Sequence, residues 1–143
     1  MSASAKVSRL LRLAIVAGFA LTAATCKDSP GTPVETPTPG WLSLSLATPN
    51  SDDGGVLFTI GGAAIDSVRS SQIHVITRRE SATTVRVVVA GVVGAGVIAE
   101  IRVPDTRDAA KYTAVIHEVA ARTTYQQRPL TGYTLSVVPA AIR

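Results

Sequence analysis

The residues able to do chemistry are few and widely spaced. His74 and His117 each stand alone in an apolar, β-branched stretch, with no second histidine or cysteine at metal-ligand spacing. Glu118 follows His117 directly, but consecutive residues of a regular strand face opposite sides, so the two are not expected to act together. A Ser-His-Asp arrangement can assemble from distant positions, yet the chain has no G-x-S-x-G elbow to single out one serine. Asp52 and Asp53, in "NSDDGG", lie beside two glycines at a corner that could hold a hard cation. The EF-hand order of acids is absent, and turn chemistry explains the run. "GVVGAG", Gly91 to Gly96, has the wrong glycine order for a dinucleotide loop and precedes an apolar strand-like run, so a β-turn is expected. The residues nominate no catalytic, metal-binding or cofactor-binding set. One thiol remains, Cys26.

The elements that would carry these residues read as strands. In "WLSLSLA", Leu42, Leu44 and Leu46 alternate with Ser43 and Ser45, the period of a half-buried strand. "TPNSDDGG" (48–55) is a loop by residue type, and "VLFTI" (56–60) a core strand closed by Gly61-Gly62. "AIDSVRS" and "QIHVITRR" follow as two short strands or one interrupted strand. "TTVRVVVAG" (83–91), "VIAEIRV" (97–103) and "GYTLSVV" (132–138) complete the clear ones, the last with Tyr133, Leu135 and Val137 on one face. The segment 105–122 fits helical spacing through Tyr112, Val115, Ile116 and Val119, and fits strand alternation as well. Its β-branched density favours a turn near Asp108–Ala110 and a strand from Tyr112 to Val119. Seven to eight short strands with Gly, Pro and Asp turns predict an all-β chain, a single antiparallel β-sandwich spanning 41–143.

Composition narrows the partners. The formal charge of +4 includes Lys6, Arg9 and Arg12; from Lys27 onward 11 bases face 10 acids. A nearly neutral domain exerts no general pull on nucleic acid, and its scattered arginines lack an aromatic stacking platform. Arg78, Arg79, Arg86, Arg102, Arg107, Arg122 and Arg128 are expected on solvated faces and strand edges. Trp41 reads as a packed first-strand residue, not a sugar shelf. One cysteine permits no internal disulfide, so the fold must stand on packing.

The amino terminus is organised differently. "MSASAKVSRLLR" carries three positive charges and no acid, "LAIVAGFAL" (13–21) supplies nine apolar residues, and small residues follow. That is the layout of a secretory signal peptide; a membrane span needs roughly 20 apolar residues. The run Leu21-Thr22-Ala23-Ala24-Thr25-Cys26 resembles the lipobox of bacterial lipoprotein precursors, with Thr25 where that family usually has Gly, Ala or Ser. The resemblance implies cleavage before Cys26 and acylation of that residue, giving a signal peptide at 1–25 and a membrane partner through the lipid anchor. In that family an Asp after the cysteine commonly marks inner-membrane retention. Lys27 at that position favours the outer membrane or surface. A cut after Ala24 by an ordinary signal peptidase, leaving a soluble periplasmic or secreted protein, is the alternative.

"KDSPGTPVETPTPG" (27–40) holds four prolines and three threonines, which disfavour helix and central strand alike. With Cys26 it forms an expected linker at 26–40, extended at about 3.1 Å per residue.

The order "GVLFTIGGAAIDSV", "TVRVVVAGVVGAGVIAEIRV", "YTAVIHEV" resembles bacterial cohesin-type domains, which are jelly-roll sandwiches. An immunoglobulin-like sandwich accounts for the same pattern. Taken together, these features lead us to expect a non-catalytic envelope lipoprotein whose sandwich mediates protein contact. The alternatives are a structural spacer without a ligand and a small envelope hydrolase. No cofactor, nucleic acid or small-molecule substrate is implied.

Overall fold

The computed structural model describes residues 35–70 and 74–141. The leader, the cysteine and the first part of the linker lie outside these residues. The strands are β1 (Gly40–Ala47), β2 (Asp53–Gly61), β3 (Ser67–Arg69), β4 (His74–Ser81), β5 (Thr84–Val93), β6 (Gly96–Val103), β7 (Thr113–Ala121) and β8 (Thr134–Pro139). A 3-10 helix, Thr106–Lys111, precedes β7.

The strands form two four-stranded antiparallel sheets, ordered β3-β6-β1-β8 and β4-β5-β2-β7. The chain is a β-sandwich, as its alternating apolar pattern predicts. Pairing is nested, first strand with eighth, second with seventh, third with sixth and fourth with fifth. That is a two-stranded ribbon folded over on itself, the pairing logic of a jelly roll.

Alternation fixes the layers. Leu42, Leu44 and Leu46 of β1 are buried, and so are Val56, Phe58 and Ile60 of β2 and Val85, Val87 and Val89 of β5. Ile98, Ile101 and Val103 join them in one core cluster with Tyr112 and Tyr133. Truncating Phe58 to Ala in so closed an interior costs about 3–5 kcal/mol.

Close approach, not flexibility, explains two glycines. A Cβ on Gly62, whose φ is +127°, would sit 1.8 Å from the Lys111 carbonyl oxygen, where β2 ends against the 3-10 helix. A Cβ on Gly54 would sit 2.4 Å from Arg122 Cα, where β2 begins beside the end of β7.

The ambiguous segment resolves as expected in outline. Asp105 caps the 3-10 helix by accepting from the Arg107 backbone N–H, and β7 follows as a strand. The last linker residues are held there too. Arg107 pairs with Glu35, donates to the Thr36 carbonyl at 3.0 Å and forks onto Asp105, while Thr106 N–H donates to the Thr38 carbonyl at 2.9 Å. Hydrogen bonds from Arg107 hold the Asp105 carboxyl well below the usual carboxylate range.

Candidate binding face

The outward side of the β4-β5-β2-β7 sheet carries an apolar stripe. Cross-strand register places Ile76 beside Val88, Val88 beside Leu57, and Leu57 beside Glu118. These positions alternate with buried Val87, Val89, Val56 and Phe58, so they point away from the core. Ile76 is 67% exposed and Val115, on the same side of β7, 55%. Apolar side chains left in water on an ordered sheet are the informative feature of this surface.

A groove of about 330 Å³ lies over β2 and β7. Its floor is Gly55, Leu57, Val88 and Ala120, and Glu118, Tyr125 and Gln127 stand around it. The wall arises from the chain after β7, which turns back so that Gln127 bridges Ala120 and Arg128 N–H donates to the Val119 carbonyl at 2.8 Å. Tyr125 adopts φ 57° within that turn and is 83% exposed. A bulky residue in the left-handed region is strained, and such strain is held where surrounding bonds over-determine it. Here the Tyr125 N–H donates to the Ala121 carbonyl at 3.1 Å.

One sequence expectation is corrected on this face. His117 and Glu118 both open outward, because the β2–β7 register shifts between Leu57 and Phe58. Leu57 pairs with Glu118 and Phe58 with Ile116, which leaves His117 as the extra residue of a β-bulge. The bulge also reverses the alternation of β7: Val115 is exposed before it and Val119 buried after it. His117 Nε2 lies 2.8 Å from Thr59 Oγ1, tying β7 to β2 on the outer surface. A histidine beside a hydroxyl is the start of nucleophile-and-base geometry. This pair is open to water and has no third group orienting the ring among the described residues.

Asp53 departs from the expected turn chemistry, while Asp52 stays in the loop before β2. Asp53 is wholly buried at the start of β2, accepting from Thr48 Oγ1 at 2.6 Å and from Tyr133 Oη at 2.8 Å. Arg128 supplies the counter-charge. It pairs with Asp52 through Nη2, and its Nε lies 3.0 Å from Asp53 Oδ1 with the N–H misaligned and without an acceptor. Asn50 Nδ2 donates to Tyr133 Oη at 2.7 Å, completing a network that pins the loop after β1 to the chain before β8. Burial, then the bond to Asp53, pushes the Tyr133 hydroxyl pKa up. This cluster fastens the fold, and the carboxylates are already engaged by protein donors.

The arginines are less idle than their scatter implied. Arg79 donates to the Ile65 carbonyl at 2.7 Å, Arg86 pairs with Glu80 at 3.1 Å, and Arg107 and Arg128 act as described. Arg69, which the sequence did not single out, stacks 3.6 Å from the Trp41 ring centroid and pairs with Glu100 at 2.8 Å. Trp41 is half-buried with one ring face capped by that guanidinium, as befits a packed residue. Of the run Gly91 to Gly96, Gly91, Val92 and Val93 end β5 and Gly96 begins β6, so Gly94 and Ala95 alone make the crossing between the two sheets. His74 lies at the exposed start of β4, far along the sheet from His117. Among the described residues no group of three or more His, Cys, Asp or Glu could hold a metal ion, and no helix is long and apolar enough to cross a membrane. Cys26 lies outside the described residues.

No protein-family model, no curated protein and no solved structure matches the chain.

Proposed function

We propose that this chain is a non-catalytic, lipid-anchored protein of the bacterial cell envelope, whose sandwich binds a protein partner through the outer face of β4-β5-β2-β7. The observation that carries the binding half is the stripe of Ile76, Val88 and Leu57 running into a groove beside an exposed Tyr125. Interfaces are built around such apolar and aromatic anchors, with a polar rim that here comprises Arg78, Arg86, His117 and Glu118. The anchoring half is supported by the apolar run at 13–21 and by the only cysteine in the chain standing just after it. A lipidated residue at 26 would hold the domain on the outer membrane or cell surface, with the proline-threonine tract as its stalk. An adhesion or scaffold role of the cohesin kind suits this layout. The competing reading is a spacer with no specific ligand.

Replacing Ile76 by Arg tests the face. Surface changes of this kind alter stability by only about 0.5 kcal/mol, so binding is isolated from folding. Loss of partner capture with an unchanged melting curve supports a protein-binding face; capture unaffected by the substitution argues for the spacer.

A further inference from the structure

We propose that the partner is a second copy of this chain, packed outer face to outer face about a two-fold axis running along the strands. The inference rests on the outer sheet face being a protein-binding surface, and the self-complementary layout of that face adds the identity of the partner.

The face is asymmetric along the stripe. At the β4 end Ile76 projects as a knob, and Arg78 lies beside it, two residues along the same outward side. Arg78 is set across from Arg86, a like-charge pair that Glu80 relieves only at Arg86. At the β7 end lies the groove, with Glu118 at its margin. Neither Arg78 nor Glu118 has an ion-pair partner among the described residues. Knob and cation are thus at one end, and hollow and anion at the other.

A two-fold axis lying between the molecules and along the strands inverts the stripe of the second copy. Each β4 then lies over the other copy's β7. Ile76 of each molecule enters the groove of the other, Val88 meets Leu57, and Arg78 of each reaches Glu118 of its mate. An isologous contact requires this kind of reciprocity, with one patch serving as both surfaces.

Size sets the expected strength. Four strands of about eight to ten residues, at 4.8 Å spacing and 3.3 Å rise, present a face of roughly 500 Å². Two copies together would bury about 1,000 Å², the lower bound for a specific interface. The dimer is therefore expected to be weak and concentration-dependent. Confinement of anchored copies to one membrane would raise their effective concentration.

The test is sedimentation velocity of the full chain carrying Cys26→Ser, so that no disulfide or acyl group imitates a dimer. The expected result is reversible dimerisation in the micromolar range. Arg78→Glu or Glu118→Arg alone should weaken it about tenfold, and the two reversals together should restore it to within about threefold. Arg78→Glu places an acid across from Arg86, so misfolding is not the expected cause of any loss, and recovery in the double variant excludes it. A chain that stays monomeric to millimolar concentration, or single reversals without effect, overturns the self-pairing. In that event, an identified envelope protein whose binding is abolished by Ile76→Arg leaves the binding face standing with a different partner. If no binding of any protein depends on Ile76, the face itself is also refuted.

Discussion

Glu118 and His117 are neighbours in β7, and both face outward from the same sheet. A single extra residue in the strand makes this so, by turning an acid to the margin of a groove that regular alternation would have denied it. The same bulge leaves Val115 exposed and Val119 in the core. The face is thus shaped by an irregularity as much as by its apolar residues.

The bulge has a direct test. Deleting His117 removes the extra residue and restores regular pairing between β2 and β7, with Ile116 still opposite Phe58 and Glu118 still opposite Leu57. We expect that variant to stay folded, with Val115 exposed and Val119 in the core as before. Substituting His117 by Ala, which keeps the bulge and loses only the bond to Thr59 at 2.8 Å, should cost about 1 kcal/mol or less in urea unfolding.

Asp53 makes the strongest prediction about stability. Arg128→Met leaves a wholly buried carboxylate without its counter-charge, and the expected loss is about 3 kcal/mol. Tyr133→Phe removes a donor to Asp53 and an acceptor for Asn50, for a loss of about 1–3 kcal/mol. Chemical denaturation of each variant and of the pair checks both. Because the three groups form one network, the double variant should lose less than the sum.

Alkaline pH should act through two tyrosines. Burial raises the pKa values of Tyr112, whose hydroxyl donates to the Ala64 carbonyl at 2.7 Å, and of Tyr133. A raised folded value means that stability is complete below the ordinary tyrosine value near 10 and is lost as pH climbs through the raised ones. Unfolding midpoints measured from pH 8 to 12 should fall above about 10, and Tyr133→Phe should shallow that fall.

The arginine clamp on the linker should resist acid. Asp105 is held below the ordinary carboxylate range by Arg107, so its contribution is present above that range and is lost only as pH falls through the lowered value. Protection of the Thr106 amide, which donates to the Thr38 carbonyl, should be retained at pH 4 when measured against its intrinsic exchange rate at that pH. Arg107→Ala should reduce it without exposing the core.

Much of this fold was legible because alternation is a local signal. Leu42, Leu44 and Leu46, or Val85, Val87 and Val89, declare their faces from spacing alone, and the sheets follow from enough such runs. Pairing order was not legible, since nothing local in β1 says that it lies between β6 and β8. The outward apolar stripe escaped for a related reason. Ile76, Val88 and Leu57 are far apart in the chain and meet only through register. Asp53 looked like a turn residue because its partners, Arg128 and Tyr133, lie far along the chain. Asp52 and Asp53 beside glycines gave no hint of that burial.

Anchoring is tested at Cys26. Cys26→Ser should release the protein into the soluble fraction and abolish acyl labelling. Membrane association that survives the substitution would refute a lipid anchor at that residue.

The proposed binding role of the outer face is tested most directly by photocrosslinking in intact cells. A photoreactive residue at Ile76 should give discrete protein adducts, including one at twice the chain's mass, while the same group at Ser136, exposed on the other sheet, should give none. Absence of adducts from position 76, or the same products from both positions, would contradict the account.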